Sequence, residues 1–191
     1  KLLSRKESKK AVIFGAGEQA KTQIEAISCV RELESIKVID PLEEKVLAFC
    51  EGLDPLVQPG SPQDLENADI ICTVTTQETP LFDYNQIKTG VHINAVGSHK
   101  PDTRELPSVL IQNSKVYVDH LPASKVEAGN ILIPISEKVY NWDNIAGELG
   151  QLVNEKIDGR STELDITVFN SIGNAAQDLV IAAMVHEKNL N

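Results

Sequence analysis

Gly15-Ala16-Gly17-Glu18-Gln19-Ala20 comes directly after the short apolar run Ala11 to Phe14, and Ala20, Ile24, Ile27 and Val30 then recur at helical spacing. The pattern is strand, glycine turn, helix. The chemistry open to such a turn is anion binding, because the first N–H groups of a helix lack partners and the helix dipole is positive there. Gly15 permits the tight turn, Gly17 lets the backbone come close to a pyrophosphate, and Ala20 allows helix and sheet to pack closely. Asp40 ends the second β-rich run, Ile36 to Asp40, where a carboxylate can accept hydrogen bonds from ribose hydroxyls. It equally suits the cap of a following helix, and the two uses are compatible. Together these residues point to a dinucleotide. No Arg follows Asp40 to accept a 2′-phosphate, and its carboxylate would repel one, so NAD(H) is expected in preference to NADP(H).

Other chemistry is poorly provided for. Cys29, Cys50 and Cys72 are scattered, with no CxxC pair and no His at metal-ligand spacing, so neither a disulfide framework nor a metal site is expected. A cytoplasmic, reducing setting fits them, and Cys72, inside the apolar run Ile70 to Val74, reads as a small buried hydrophobe. The net charge of -10, from 18 basic and 28 acidic residues, disfavours nucleic acid or an anionic membrane surface as main partner. No apolar run approaches the roughly 20 residues of a membrane helix.

Stepping outward from the glycine turn, the elements alternate. A weak strand at Leu56 to Gln58 precedes a short helix at Pro62 to Asn67 and the strong strand Ile70 to Val74; a turn at Asp83 to Lys88 leads to a strand at Val91 to Val96. Glu105 to Asn113 reads as a helix, Lys115 to Val118 as a strand, Leu121 to Ala128 as a helix and Ile131 to Ile133 as a short edge strand. Beyond Pro134, the apolar residues Trp142, Ile145, Leu149, Leu152 and Val153 form a helical stripe. A strand at Ile166 to Phe169 follows, then a helix from Gly173 to Glu187 apolar enough to need a partner surface. This alternation predicts an α/β, Rossmann-type, doubly wound and mostly parallel sheet over residues 11–135, with a C-terminal helical extension over 136–191.

Four blocks of sequence carry a resemblance. Val12 to Ala20, Ala68-Asp69-Ile70-Ile71-Cys72-Thr73-Val74-Thr75, His92-Ile93-Asn94-Ala95-Val96-Gly97 and Phe169-Asn170-Ser171-Ile172-Gly173 together resemble the ornithine cyclodeaminase and mu-crystallin family. The resemblance implies a nicotinamide cofactor, a small amino- or imino-acid substrate and a homodimer. It implies cofactor contacts from Gly15, Ala16, Gly17, Glu18, Gln19, Asp40, Thr75, Asn94, Ala95, Val96, Gly97 and Ser171, with Ile172 bordering the substrate. Ser171 reads equally as a helix N-cap. It also implies a preceding region that shapes the dimer and the substrate pocket, with residues 1–10 as the tail of its last helix, packed against by the C-terminal extension.

One departure stands out. Where the cyclodeaminases place an acid–base carboxylate two residues beyond the glycine, this chain has His99, and Thr103 replaces a family lysine. An imidazole exchanges protons near neutral pH, but a loop histidine can equally be a solvated side chain. The resemblance therefore implies a dehydrogenase or ketimine reductase-like activity. A cyclodeaminase that borrows and returns its hydride, and a binding protein without turnover, remain the alternatives.

Overall fold

The computed structural model describes residues 1–190. Eight strands form one parallel sheet: β1 (Lys10–Phe14), β2 (Ser35–Ile39), β3 (Val57–Pro59), β4 (Ile70–Thr73), β5 (His92–Ala95), β6 (Lys115–Val118), β7 (Ile145–Glu148) and β8 (Thr167–Asn170). Their order across the sheet is β3-β2-β1-β4-β5-β8-β6-β7. The doubly wound fold expected from the alternation is thus present, and every strand pairing is parallel.

Strand periodicity explains why the runs read as continuously apolar. In β1, Ala11 and Ile13 pack into one core with Ile36, Val38 and Ile70, while Val12 and Phe14 join the opposite core with Ile71, Ile93 and Val168. Both faces are covered, so neither can be polar. The chain leaves β1 first toward β2 and β3, then returns to the other side for β4 and β5. At that reversal, loops on the two sides diverge and leave a crevice beyond the strand ends, where ligands bind in open α/β sheets.

The helices are α1 (Glu18–Ser28), α2 (Glu43–Cys50), α3 (Ser108–Gln112), α4 (Leu121–Glu127), α5 (Gly129–Ser136), α6 (Leu149–Val153) and α7 (Ala175–Leu190). Several differ from expectation. Ile131 to Ile133, read as an edge strand, lies in α5, whose buried residues Asn130, Ile131 and Pro134 share a face at helical spacing; a short apolar run does not reveal its own period. The stripe from Trp142 to Val153 is not one helix but a 3-10 turn (Trp142–Asn144), the edge strand β7 and the short α6. Gly147, at φ +151, interrupts it, and an added Cβ there would lie 2.2 Å from Ile157 Cδ1. The helix expected from Glu105 starts only at Ser108, because Pro107, extended at ψ 145 as its N-cap, disfavours helical backbone at Leu106; the N–H groups of Glu105 and Leu106 bond Asn130 Oδ1 at 2.9 and 3.1 Å. The helix that Asp40 could cap was given no range by the sequence; it is α2.

Residues 1–9, expected as a helix tail, run as bends and turns. Their carbonyls go to side chains instead of to a helix: Arg31 bonds those of Lys1, Ser4 and Arg5, and Arg160 bonds that of Leu3. The segment after residue 135 completes the sheet, with β8 between β5 and β6, and ends in the helix α7. α7 exposes Leu179, Val180, Ile181, Met184 and Val185, each by more than half of its surface. No helix among the described residues is long and apolar enough to cross a membrane.

Candidate functional site

Two clefts open on either side of the N-terminus of α1. The first, of about 550 Å³, is bordered by Gly15, Gly17, Asp40, Lys45 and Thr75. The second, of about 580 Å³, is bordered by Gln19, Asn94, Val96, His99, Ser171 and Ile172. Most of the expected site residues therefore fall into two groups, reached from the ends of β1, β2 and β4 in the first cleft and of β5 and β8 in the second.

Gly15 adopts φ +102, and an added Cβ would meet the Val74 carbonyl oxygen at 2.6 Å, so the turn passes directly against the end of β4. A Cβ on Gly17 would meet nothing within 4 Å, which leaves its backbone facing open space. α1 has no side-chain cap on its first turn. An anion approaching Gly17 thus finds free N–H groups and no obstructing side chain, the fit a pyrophosphate requires.

Asp40 is held from three directions. Its Oδ2 accepts from Ala16 N–H at 3.1 Å and from Lys45 Nζ at 2.7 Å, and Oδ1 accepts from Leu42 N–H at 3.2 Å. Burial alone would raise its pKa, but Lys45 and the two backbone donors outweigh that and hold the carboxyl below the usual range. Oδ1 keeps a lone pair free for a ribose hydroxyl. Ala16 lends its N–H to this contact and is itself buried.

The loops after β4 and β5 are tied by one residue, Glu105. Its carboxylate, wholly buried, accepts from Thr73 Oγ1 (2.7 Å), Thr75 N–H (2.8 Å), Thr75 Oγ1 (2.7 Å) and Gly97 N–H (2.9 Å). A Cβ on Gly97 would come within 2.3 Å of both Glu105 Oε1 and the Thr75 carbonyl. Gly97 is therefore a packing glycine that brings the two loops together rather than a lining residue.

In the second cleft, Asn94 Oδ1 lies 3.0 Å from His92 Nε2, and His92 Nδ1 lies 2.9 Å from Thr167 Oγ1. Burial pushes the His92 imidazole down to about 4. Cys72, next to Asn94, is pushed up to about 12 by burial, as suits an inert thiol. Asp119, after β6, accepts from Ser171 Oγ and from the N–H groups of Ile172 and Gly173 at 2.8 to 3.0 Å, fixing the loop into α7. His99 is exposed, and its Nδ1 lies 3.1 Å from the Gly97 carbonyl. A carbonyl only accepts, so this contact puts the proton on Nδ1 and leaves Nε2 toward solvent.

Two expected residues face elsewhere. Ala95 is fully buried, and its carbonyl receives Ser171 N–H at 2.9 Å. Glu18 borders a separate groove with Lys21. Sequence reasoning missed Lys45, Glu105 and Asp119. Asp119 had the signal that revealed Asp40, an acid just beyond a parallel strand; Glu105 had none locally. Among the described residues, no group of three His, Cys, Asp or Glu side chains could hold a metal ion.

Comparison with known proteins settles the lineage. The model of the ornithine cyclodeaminase/mu-crystallin family matches residues 1–191. This chain belongs to that family. A Delta(1)-pyrroline-2-carboxylate reductase of Bacillus cereus is 38% identical over 195 residues, covering 98% of this chain and 60% of the relative. Among solved structures, Thermococcus litoralis Delta(1)-pyrroline-2-carboxylate reductase in complex with NADH and L-proline superposes with a TM-score of 0.93 at 35% identity, covering 99% of this chain and 60% of that one. An archaeal alanine dehydrogenase dimer with bound NAD gives 0.90 at 31% identity, with 99% and 60% covered. The chain thus spans about 60% of the length of these family members.

Proposed function

We propose that this chain is the NAD(H)-binding part of an oxidoreductase acting on a small amino or imino acid, with a cyclic 2-carboxylate imine such as Delta(1)-pyrroline-2-carboxylate as the substrate class. The observation that carries the reading is the pair of clefts flanking the uncapped N-terminus of α1, with Asp40 in one and Asn94, His99 and Ser171 in the other. The named activities of the family members above support the substrate class.

In this reading Gly15, Gly17 and Gln19 receive the pyrophosphate, Asp40 and Thr75 the adenosine side, and Asn94, Val96 and Ser171 the nicotinamide side, while Ile172 borders the substrate. Nicotinamide, when bound, supplies or takes up the hydride at its C4. Reducing an imine also requires a proton on nitrogen; His99 Nε2, the ring atom left free, would first take up a proton from solvent and then deliver it from the doubly protonated ring. The protein's part is to fix the two loops through Glu105 and keep the reacting atoms aligned. An imidazole in place of the cyclodeaminase carboxylate favours net reduction over cyclodeamination.

We place the protein in the cytosol, which three free cysteines support, and assign it a homodimer, which the dimeric archaeal relative supports. The exposed apolar face of α7 would be covered in that assembly or by the preceding part of the protein.

Loss of NADH absorbance on adding Delta(1)-pyrroline-2-carboxylate to the purified protein tests the activity. Ammonia release from ornithine without net NADH change would favour the cyclodeaminase instead. Saturable NADH binding with no turnover of either compound would favour the binder.

A further inference from the structure

Asp119, just beyond β6, decides what Ser171 can offer a ligand. Its Oδ2 accepts from Ser171 Oγ at 3.0 Å, from Ile172 N–H at 2.9 Å and from Gly173 N–H at 2.8 Å, and its Oδ1 accepts from His120 N–H at 2.9 Å. A carboxylate only accepts, so the single proton of the Ser171 hydroxyl is committed to Asp119. One lone pair of that hydroxyl receives Gly173 N–H at 3.3 Å, which leaves the other as its one free polar function. Capping α7 does not claim it, because Asn174 Oδ1 accepts from Ala176 N–H at 2.9 Å. Ser171 is also pinned in place, its N–H bonding the Ala95 carbonyl at 2.9 Å, and it borders the second cleft with Asn94. It therefore meets the cleft as an acceptor with a negative charge behind it. Among the described residues, no Lys or Arg pairs with Asp119. Of the residues bordering this cleft, only His99 is ionisable, so nothing there is a fixed cation.

We propose that Asp119 is a positioning residue that sets specificity at the nicotinamide end of the site. By holding the Ser171 proton it makes Ser171 an acceptor, so the site selects a ring substituent that donates, the NH₂ of a carboxamide, and disfavours a carboxylate. The proposal rests on the NAD(H)-binding reading above and deepens it. An acetyl group in the same place loses the hydrogen bond, because its carbonyl only accepts. A carboxylate loses it as well and adds repulsion from the unpaired charge of Asp119.

The test is fluorescence titration of three reduced dinucleotides that differ only in the ring substituent: NADH, its 3-acetylpyridine analogue and its nicotinic acid analogue. They are titrated into the purified protein and its Asp119→Asn, Asp119→Ala and Ser171→Ala variants. The wild type is expected to bind the acetyl analogue about fivefold more weakly than NADH, and the carboxylate analogue about fiftyfold more weakly. Asp119→Asn keeps an acceptor oxygen for the loop but removes the charge, so it should preserve the first ratio and lower the second by about fivefold or more. Asp119→Ala frees the hydroxyl to turn and donate, and both ratios should shrink; Ser171→Ala should abolish the first. A purely structural Asp119 would weaken all three ligands alike and leave the ratios as they were. Wild-type binding of the three within about twofold of one another, or a carboxylate ratio unchanged in Asp119→Asn, overturns the proposal and leaves the cofactor reading intact. Both of those measurements remain decisive if Asp119→Ala does not fold. Failure of the wild type to bind NADH overturns both.

Discussion

Glu105→Gln changes one buried oxygen to an amide nitrogen and should be costly for a reason visible in the contacts. Each oxygen of Glu105 receives one hydroxyl and one backbone N–H: Thr75 Oγ1 and Thr75 N–H on Oε1, Thr73 Oγ1 and Gly97 N–H on Oε2. A threonine hydroxyl can rotate to accept from an amide, but a backbone N–H cannot. Whichever way the new amide turns, one of its hydrogens points at a backbone N–H, of Thr75 or of Gly97, and finds no acceptor, although Gly97 N–H itself keeps a second one in the Thr73 carbonyl at 3.1 Å. Such a group costs about 1–3 kcal/mol, so about 2 kcal/mol is expected for the pair of mismatched donors. In a chain of this size that lowers the melting temperature by roughly 4–8 °C. Urea unfolding of wild type and variant, read by circular dichroism, supplies the number. The loops joined by Glu105 also border the cofactor clefts, so NADH affinity should fall with stability. A midpoint shift equivalent to less than about 0.5 kcal/mol would refute the reasoning, because it would mean that the loops do not depend on an acceptor at both oxygens.

Three further outcomes are expected. His92 is held neutral by burial, with its pKa pushed down to about 4 from an ordinary 6.5, a gap of about 3 kcal/mol. Its contribution is complete above about pH 6.5 and is lost as pH falls toward 4, since the unfolded chain then binds a proton that the fold refuses; His92→Gln should remove that slope from stability measured against pH, and a retained slope would show another group responsible. The carboxylates Asp40 and Asp69, both held below their usual range against the opposing effect of burial, act only at lower pH, below about 4. His99→Ala should lower kcat for imine reduction by about 10²-fold with NADH affinity nearly unchanged, whereas a wild-type kcat would make His99 a bystander. Gly15→Ala, at φ +102 with its Cβ against the Val74 carbonyl, should cost at least about 2 kcal/mol in denaturant titration, and tolerance would contradict the turn geometry.

The parts of this fold legible in the sequence were those where a local pattern has one physical meaning. The run from Ala11 to Ala20 admits few structures, because a buried strand, a glycine at positive φ and an apolar helix face each leave a distinct mark. Asp40 could be placed for the same reason. Ile131 to Ile133 could not, since three successive aliphatic residues fit a strand or a buried helix, and only packing of α5 against α3 and α4 decides. Lys45 and Glu105 were hidden by tertiary causes. Lys45 matters only because α2 begins at Glu43 and brings it back over Asp40, and Glu105 only because Asn130, 25 residues on, anchors its backbone N–H while its carboxylate meets the loops after β4 and β5. The family resemblance located the ends of β5 and β8 as site elements, yet Ala95 proved to be buried there, its contribution limited to the backbone.

The central claim is that one dinucleotide lies across both clefts, and a crystal structure of the protein grown with NADH tests it most directly. The account predicts the pyrophosphate at the Gly15 to Gly17 turn, the adenosine ribose against Asp40, and the nicotinamide beside Asn94, His99 and Ser171. NADH bound away from the α1 N-terminus, or bound there with its adenosine in the cleft of His99 and Ser171, would contradict it.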